Sequence, residues 1–317
     1  MNLTISDEQQ AIVAAVAKLL ADVGRDDPER LWHGAVELGW FGLGLPEELG
    51  GAGFGAVEEA LVAKEVGRHA MPGPLVATVL AARVAAYSGS DELAKGFLCG
   101  SARAALAIPG AGDDVTLVDA GAATHVLVAT PDLVSIHDVA DCVGRQSLPS
   151  LDEASARESG TLTGEPLSSL PAAVDPVFRR GSLLTSAVLV GVAEACRDMS
   201  TDHARTREQF GSPIGAFQSI KHRCADMAVG AALADAQLVF AALSVAERRA
   251  DAAEQVAALR VVATRTAIWN ARETVQVHGG MGFTWECPAH LYLKRVHAQT
   301  GVFGTVREHE RALLAHS

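Results

Sequence analysis

The sequence predicts a mostly α, α+β protein of three units: an N-terminal helical domain over 1–103, a reduced β domain over 104–172 and a C-terminal antiparallel helical bundle over 173–317. Three observations carry that reading. Apolar residues recur at helical spacing through the first hundred residues. The texture then changes to short apolar runs cut by Gly, Asp and Pro. From Asp175 the helical period returns in three long alanine-rich stretches with short joints, the pattern of an antiparallel bundle.

Taken in order, Ser6 and Gln9 form a capping box ahead of Ile12, Val13, Val16, Leu19 and Leu20, which share one helical face. "PERLWHGAVELGW" is a second helix, and "GLGLPEELGGAGFG" a glycine-rich break before a third, from Ala56 to about His69. "GGAGFG" follows no strand and opens no βαβ unit, so it is not a dinucleotide fingerprint. "MPGP" turns the chain into a further apolar helix ending near "SGSDE". "AALAIPG", "DVTLVDA", "THVLVAT" and "LVSIHDV" read as strands of a unit of roughly four to six. The polar stretch 150–169 reads as a connector. Helices are then expected over about 176–205, 217–249 and 251–278, with two shorter ones after Pro288. There is no internal repeat.

Composition narrows the function classes. A chain of 317 residues with 49% hydrophobic and 20% charged residues has volume for a sizeable core. A net charge of −12 with no basic stripe argues against nucleic-acid binding. No apolar run is read as membrane-spanning, and "MNLTISDEQQ" lacks a signal pattern. Five scattered cysteines suit free thiols in a reducing cytoplasm. Cys287 and His290 have a metal-like spacing but no second pair, so no metal site is expected.

Two stretches carry chemistry. In "RTREQFGSPIGAFQSIKHRCADM", Arg207 and Phe210 precede a glycine-bounded turn and Gln218 opens the next helix. An arginine at such a junction can fork onto a phosphate, and an aromatic can stack on a planar ring. Alone, a surface ion pair beside a helix stop explains it better. In "ETVQVHGGMGFTWECP", Gln276 lies one turn before Gly279 and Gly280, with Gly282 following. A helix C-cap explains one glycine; three together permit close approach of a ligand.

Jointly, Arg207, Phe210, Gly211, Ile214, Gly215 and Gln218 with Gln276, Gly279, Gly280 and Gly282 resemble the acyl-CoA dehydrogenase family. The resemblance covers nearly the whole chain. "LWHGAVELGWFGLGLPEELGGAGFG" is similar to the family's N-terminal segment, and "IPGAGDD" to a worn "TEPGAGSD" loop. It implies an FAD-dependent α,β-dehydrogenation of an acyl-CoA thioester, in which a glutamate takes the α-proton and hydride passes to the flavin. It also implies an FAD shared between subunits, the nucleotide end held by Arg207, Phe210, Gln218, Gln276, Gly279 and Gly280. Thr305, in the turn after Phe303, is counted with this cofactor set.

This chain departs from the family at the other end. The family's "YEGT" glutamate is replaced by Phe303 in "VFGT", and the alternative base position falls at Gly181. A phenyl ring and a hydrogen atom accept no proton. Ala107 and Ile108 stand where the family's loop bonds the flavin ring, and no tryptophan lies in the β region. The implied role is the small, base-less subunit of an α2β2 assembly whose larger partner supplies the glutamate and flavin-ring contacts. In the family such pairs act on CoA thioesters of steroid side chains or ring fragments, which the resemblance extends to this chain's substrate. Phe303 is expected to fill a collapsed pocket. The competing readings are a self-sufficient homomeric enzyme with another base and a scaffold that binds no flavin.

Overall fold

The computed structural model describes residues 5–315, so the first four residues of the signal-free N-terminal reading lie outside it. Helix α1 (Asp7–Val23) starts at the expected box: the Gln9 amide N–H donates to Ser6 Oγ at 3.2 Å, and Gln9 Oε1 accepts from the Ser6 amide at 2.9 Å. Helix α2 (Pro28–Glu37) carries proline in its first turn, where the missing N–H costs no hydrogen bond. Helices α3 (Ala56–Arg68) and α4 (Leu75–Tyr87) follow as expected. An eight-residue helix α5 (Asp91–Leu98) then appears where only a turn is read from "SGSDE". Its two acidic residues sit in the first turn, and Ala94 and Phe97 are buried beneath it.

The β domain is larger than the sequence suggests. Strands β1 (Ala104–Pro109), β2 (Asp114–Val118), β3 (His125–Ala129) and β4 (Leu133–Asp138) coincide with the four apolar runs. Three more join them: β5 (Cys142–Leu148), β6 (Arg157–Leu162) and β7 (Ser168–Pro171). They form one seven-stranded sheet in the order β5-β6-β2-β1-β3-β4-β7, antiparallel except for the β1–β3 pair. The polar stretch is therefore no connector. β6 lies between β5 and β2, pairing Val118 with Arg157, and is half-buried along its length, so it lacks apolar alternation. Just before it, Asp152 is buried and ion-paired to Arg295, pinning the sheet to the helical bundle.

The bundle consists of α6 (Val177–Thr206), α7 (Gln218–Ala246), α8 (Ala252–His278), α9 (Ala289–Gln299) and α10 (Val306–Ala315). Between α6 and α7 runs a two-residue hairpin of β8 (Glu208–Gln209) and β9 (Ser212–Pro213). A single main core joins α3, α4, α6, α7 and α8 to one face of the sheet through Leu106, Leu127 and Ile136. Alanine and glycine make this closeness possible. A Cβ on Gly67 would strike the Val188 backbone, and one on Gly191 the Lys64 carbonyl, so α3 and α6 cross at backbone contact. Contrary to the composition reading, α7 is long and apolar enough to cross a membrane by length and composition. Its inner face packs against α6 and α8, while Val229 and Leu233 on the outer face are exposed.

Candidate functional site

The nucleotide-type residues gather at one end of the bundle. Arg207 is the C-cap of α6, and Gln276 lies in the last turn of α8. The two helix ends are joined by stacking of His203 on His278, ring centroids 4.1 Å apart, with His278 Nδ1 donating to the Thr274 carbonyl at 2.8 Å. Burial, then the neighbouring His278 and Arg207, push the His203 pKa down. Beside it, a cleft of about 400 Å3 opens between α6, the hairpin and the start of α7, with Arg205 and Lys221 in its wall.

These residues fit a dinucleotide. The side chains of Arg207, Gln218 and Gln276 are exposed and make no hydrogen bond or ion pair among the described residues. Phe210 is 94% exposed and held at φ +55°, so the chain displays an aromatic ring in a strained conformation. Gly279 needs its glycine for φ +60°, but Gly280 does not, and a Cβ there would meet nothing within 4 Å. Nothing in the chain itself accounts for a bare backbone at Gly280, whereas close approach of a phosphate would.

Phe303 lies elsewhere. It sits in the loop between α9 and α10, which is fastened to α8 from below. The fully buried Arg260 donates from Nη2 to the carbonyls of Gln299, at 2.7 Å, and Val302, at 2.8 Å. With no carboxylate against it, burial drives its pKa down to about 10. His309 Nε2 donates to the Phe303 carbonyl at 3.0 Å. These three bonds hold Phe303 at φ +54°, and its buried ring stands edge-on to Phe178, with centroids 5.7 Å apart. On the other side the ring lies on Gly181: a Cβ there would fall 2.6 Å from Phe303 Cζ. The two base positions inferred from the sequence are thus one place in space, filled by a phenyl ring.

The pocket is not collapsed. Phe303 forms the floor of a cleft of about 660 Å3 whose walls come from β1 (Ala107, Ile108), α6, the start of α8 and α10. Its only carboxylate among the lining residues is Glu308, which accepts from the Thr305 amide at 2.7 Å and from the Thr305 hydroxyl at 2.9 Å. Those bonds hold the Glu308 carboxyl below its ordinary range and make it a poor proton acceptor at neutral pH. They also engage Thr305 as the N-cap of α10. Arg260 and Gln276 are sixteen residues apart on α8, so the ends differ by about 24 Å along the helix. Cys287 and His290 are both buried, with His290 Nδ1 donating to the Cys287 carbonyl at 2.9 Å.

Comparison with known proteins decides the family. Residues 6–104 match the acyl-CoA dehydrogenase N-terminal domain, and residues 173–316 the C-terminal domain. Acyl-CoA dehydrogenase IpdE2 of Mycobacterium tuberculosis is 34% identical over 95% of this chain and 90% of its own length. The chain belongs to the acyl-CoA dehydrogenase family. Among solved structures, the ChsE4–ChsE5 complex of M. tuberculosis superposes with a TM-score of 0.85 at 24% identity, covering all of both chains. A steroid acyl-CoA dehydrogenase variant, Tcur3481–Tcur3483, gives a TM-score of 0.83 at 24% identity over 98% of each. Both show that the fold is that of the family. Arg260, His309 and Glu308, which fix the Phe303 loop, carry no recognisable motif. They act through positions set by tertiary packing alone.

Proposed function

We propose that this chain is the base-less subunit of a heteromeric FAD-dependent acyl-CoA dehydrogenase, in an α2β2 assembly with a larger catalytic subunit. The observation that carries this is the Phe303 ring seated on Gly181, which leaves neither base position with a carboxylate. A self-sufficient enzyme would need another base, and Glu308, the nearest carboxylate, is held in its ionised form by two bonds that a proton would weaken. When bound, FAD supplies the acceptor for the hydride that leaves the acyl β-carbon. This chain would bind its nucleotide end, with Arg207 and Gln276 at the phosphates, Gly279 and Gly280 giving close approach, and Phe210 and Gln218 at its flank.

The 24 Å between those residues and the Phe303 loop supports a site completed by another subunit rather than within one chain. The exposed apolar residues on α7 and at the hairpin support a protein partner that covers them. The likeness to the ChsE4–ChsE5 complex and to a steroid dehydrogenase supports a two-subunit enzyme acting on a steroid-derived acyl-CoA. Expressed alone, the chain is expected to be colourless or poorly soluble; with its partner it should give a yellow complex holding one FAD per heterodimer. Phe303→Glu should add no second active site, and removal of the partner's glutamate should abolish turnover while the complex stays yellow. Stoichiometric FAD and turnover on the purified single chain would refute the proposal.

A further inference from the structure

The sheet meets the end of α9 at one corner, where β2 stops and β6 begins. Asp119, the residue after β2, is held in the left-handed region at φ +58°, with its amide donating to the Ala156 carbonyl at 2.9 Å. Aspartate tolerates that conformation, at some cost in strain. Asp119 lines a cavity of about 70 Å3 together with Ser155, Arg295, Gln299, Leu106 and Phe303. Leu106 and Phe303 also line the larger cleft described above, so the two spaces share a wall.

The charged groups facing Asp119 come from three places, and their donors are already engaged. From α9, Arg295 is ion-paired to the buried Asp152 and donates from Nη1 to the Met71 carbonyl at 2.5 Å. From β6, Arg157 donates from Nη2 to the Ala298 carbonyl in the last turn of α9. The segment before β6 contributes Asp152 and Ser155; Ser155 Oγ is buried beside the Asp119 carboxyl, short of a formed hydrogen bond. The 71–77 stretch and α6 bring no charged side chain to the cavity wall. Burial therefore outweighs the pull of Arg295 and Arg157, and the Asp119 carboxyl is pushed up to about 6. Arg157 serves two elements at once. The last carbonyls of α9 lack intrahelical donors and are met by two arginines, Ala298 by Arg157, and Gln299 with Val302 by Arg260. An ionised Asp119 offers Arg157 a charged acceptor in place of a neutral carbonyl, and the charged one makes the stronger bond.

We infer that this corner is a proton-controlled latch on the Phe303 loop: uncharged Asp119 leaves Arg157 on the Ala298 carbonyl and the loop shut, and charged Asp119 draws Arg157 away and loosens it. Arg260 then holds the loop alone, through the Gln299 and Val302 carbonyls. The wall that Phe303 forms between the two cavities loosens with it. The latch is built from this chain's own residues and does not rest on its role as a subunit.

Amide hydrogen exchange of the full chain as it purifies, alone or in complex and corrected for intrinsic rates, tests this from about pH 5 to about pH 7. The shut form raises the Asp119 carboxyl to about 6, above the value of about 3.9 in water, so the shut form is fully favoured below about pH 4 and loses ground as pH rises through 6. Across the tested range that loss is about tenfold. Protection of the amides of residues 298–304 should fall by that factor, while α4 stays the better protected at each pH, which marks a local opening. Asp119→Asn keeps the side-chain size and suits φ +58°, and should hold the loop's protection constant. Arg157→Met has no donor for the Ala298 carbonyl and should show the low protection across the whole range. Protection that is flat or rises with pH in the wild type overturns the inference, as does a fall that α4 shares in full or that persists in Asp119→Asn.

Discussion

Adding one methyl group at Gly181 tests the contact on which the functional reading turns. Gly181 is the fifth residue of α6, and a Cβ there would fall 2.6 Å from Phe303 Cζ. The ring has little room to yield, because Arg260 and His309 fix its backbone and Phe178 abuts its edge. Overpacking of this kind costs about 1–3 kcal/mol. Against it, alanine in place of a helix-interior glycine gains about 0.5–1 kcal/mol. Gly181→Ala should therefore be neutral to destabilising by about 2 kcal/mol in the native background. In a Phe303→Ala background the obstruction is gone, and the same change should stabilise by about 0.5–1 kcal/mol. The coupling between the two sites is then about 1–3 kcal/mol, read from a double-mutant cycle of urea midpoints on the purified complex. Identical effects of Gly181→Ala in both backgrounds would refute the claim that ring and glycine occupy one space.

Three further outcomes follow from other contacts. Arg207→Ala should weaken FAD retention in the complex by about 2 kcal/mol and Arg207→Lys by less, since lysine lacks the planar fork; unchanged flavin content on gel filtration of both variants would make Arg207 merely structural. Glu59→Ala leaves the buried Arg180 uncompensated and should cost about 3–5 kcal/mol in denaturant unfolding, where a loss under 1 kcal/mol would show that Arg180 finds water instead. Burial pushes the Asp119 carboxyl up to about 6, against the pull of Arg295 and Arg157. Its folded pKa exceeds the unfolded value of about 3.9, so its contribution is fully present below about pH 4 and lost as pH rises through 6. That loss amounts to about 2–3 kcal/mol, and Asp119→Asn should gain stability over wild type between pH 4.5 and 7; parallel pH profiles would contradict the assignment.

The sequence by itself determined the helices apart from α5, the four apolar strands and the family, and it singled out the residues proposed to hold a nucleotide. Those features are local: a capping box at Ser6, a helical period from Asp175, and motifs whose residues lie within a turn or two of each other. It also showed that Phe303 and Gly181 hold no carboxylate. Only the tertiary structure decided that these two positions, 122 residues apart in the chain, touch each other. It alone corrected the polar stretch into β6 and β7, whose registry comes from β2, β5 and β4 and not from their own alternation. The open cleft above Phe303 was hidden for the same reason. A cavity is the space left between elements that pack, and its volume depends on the angle at which α6, α8, α10 and β1 meet. No residue type encodes that angle.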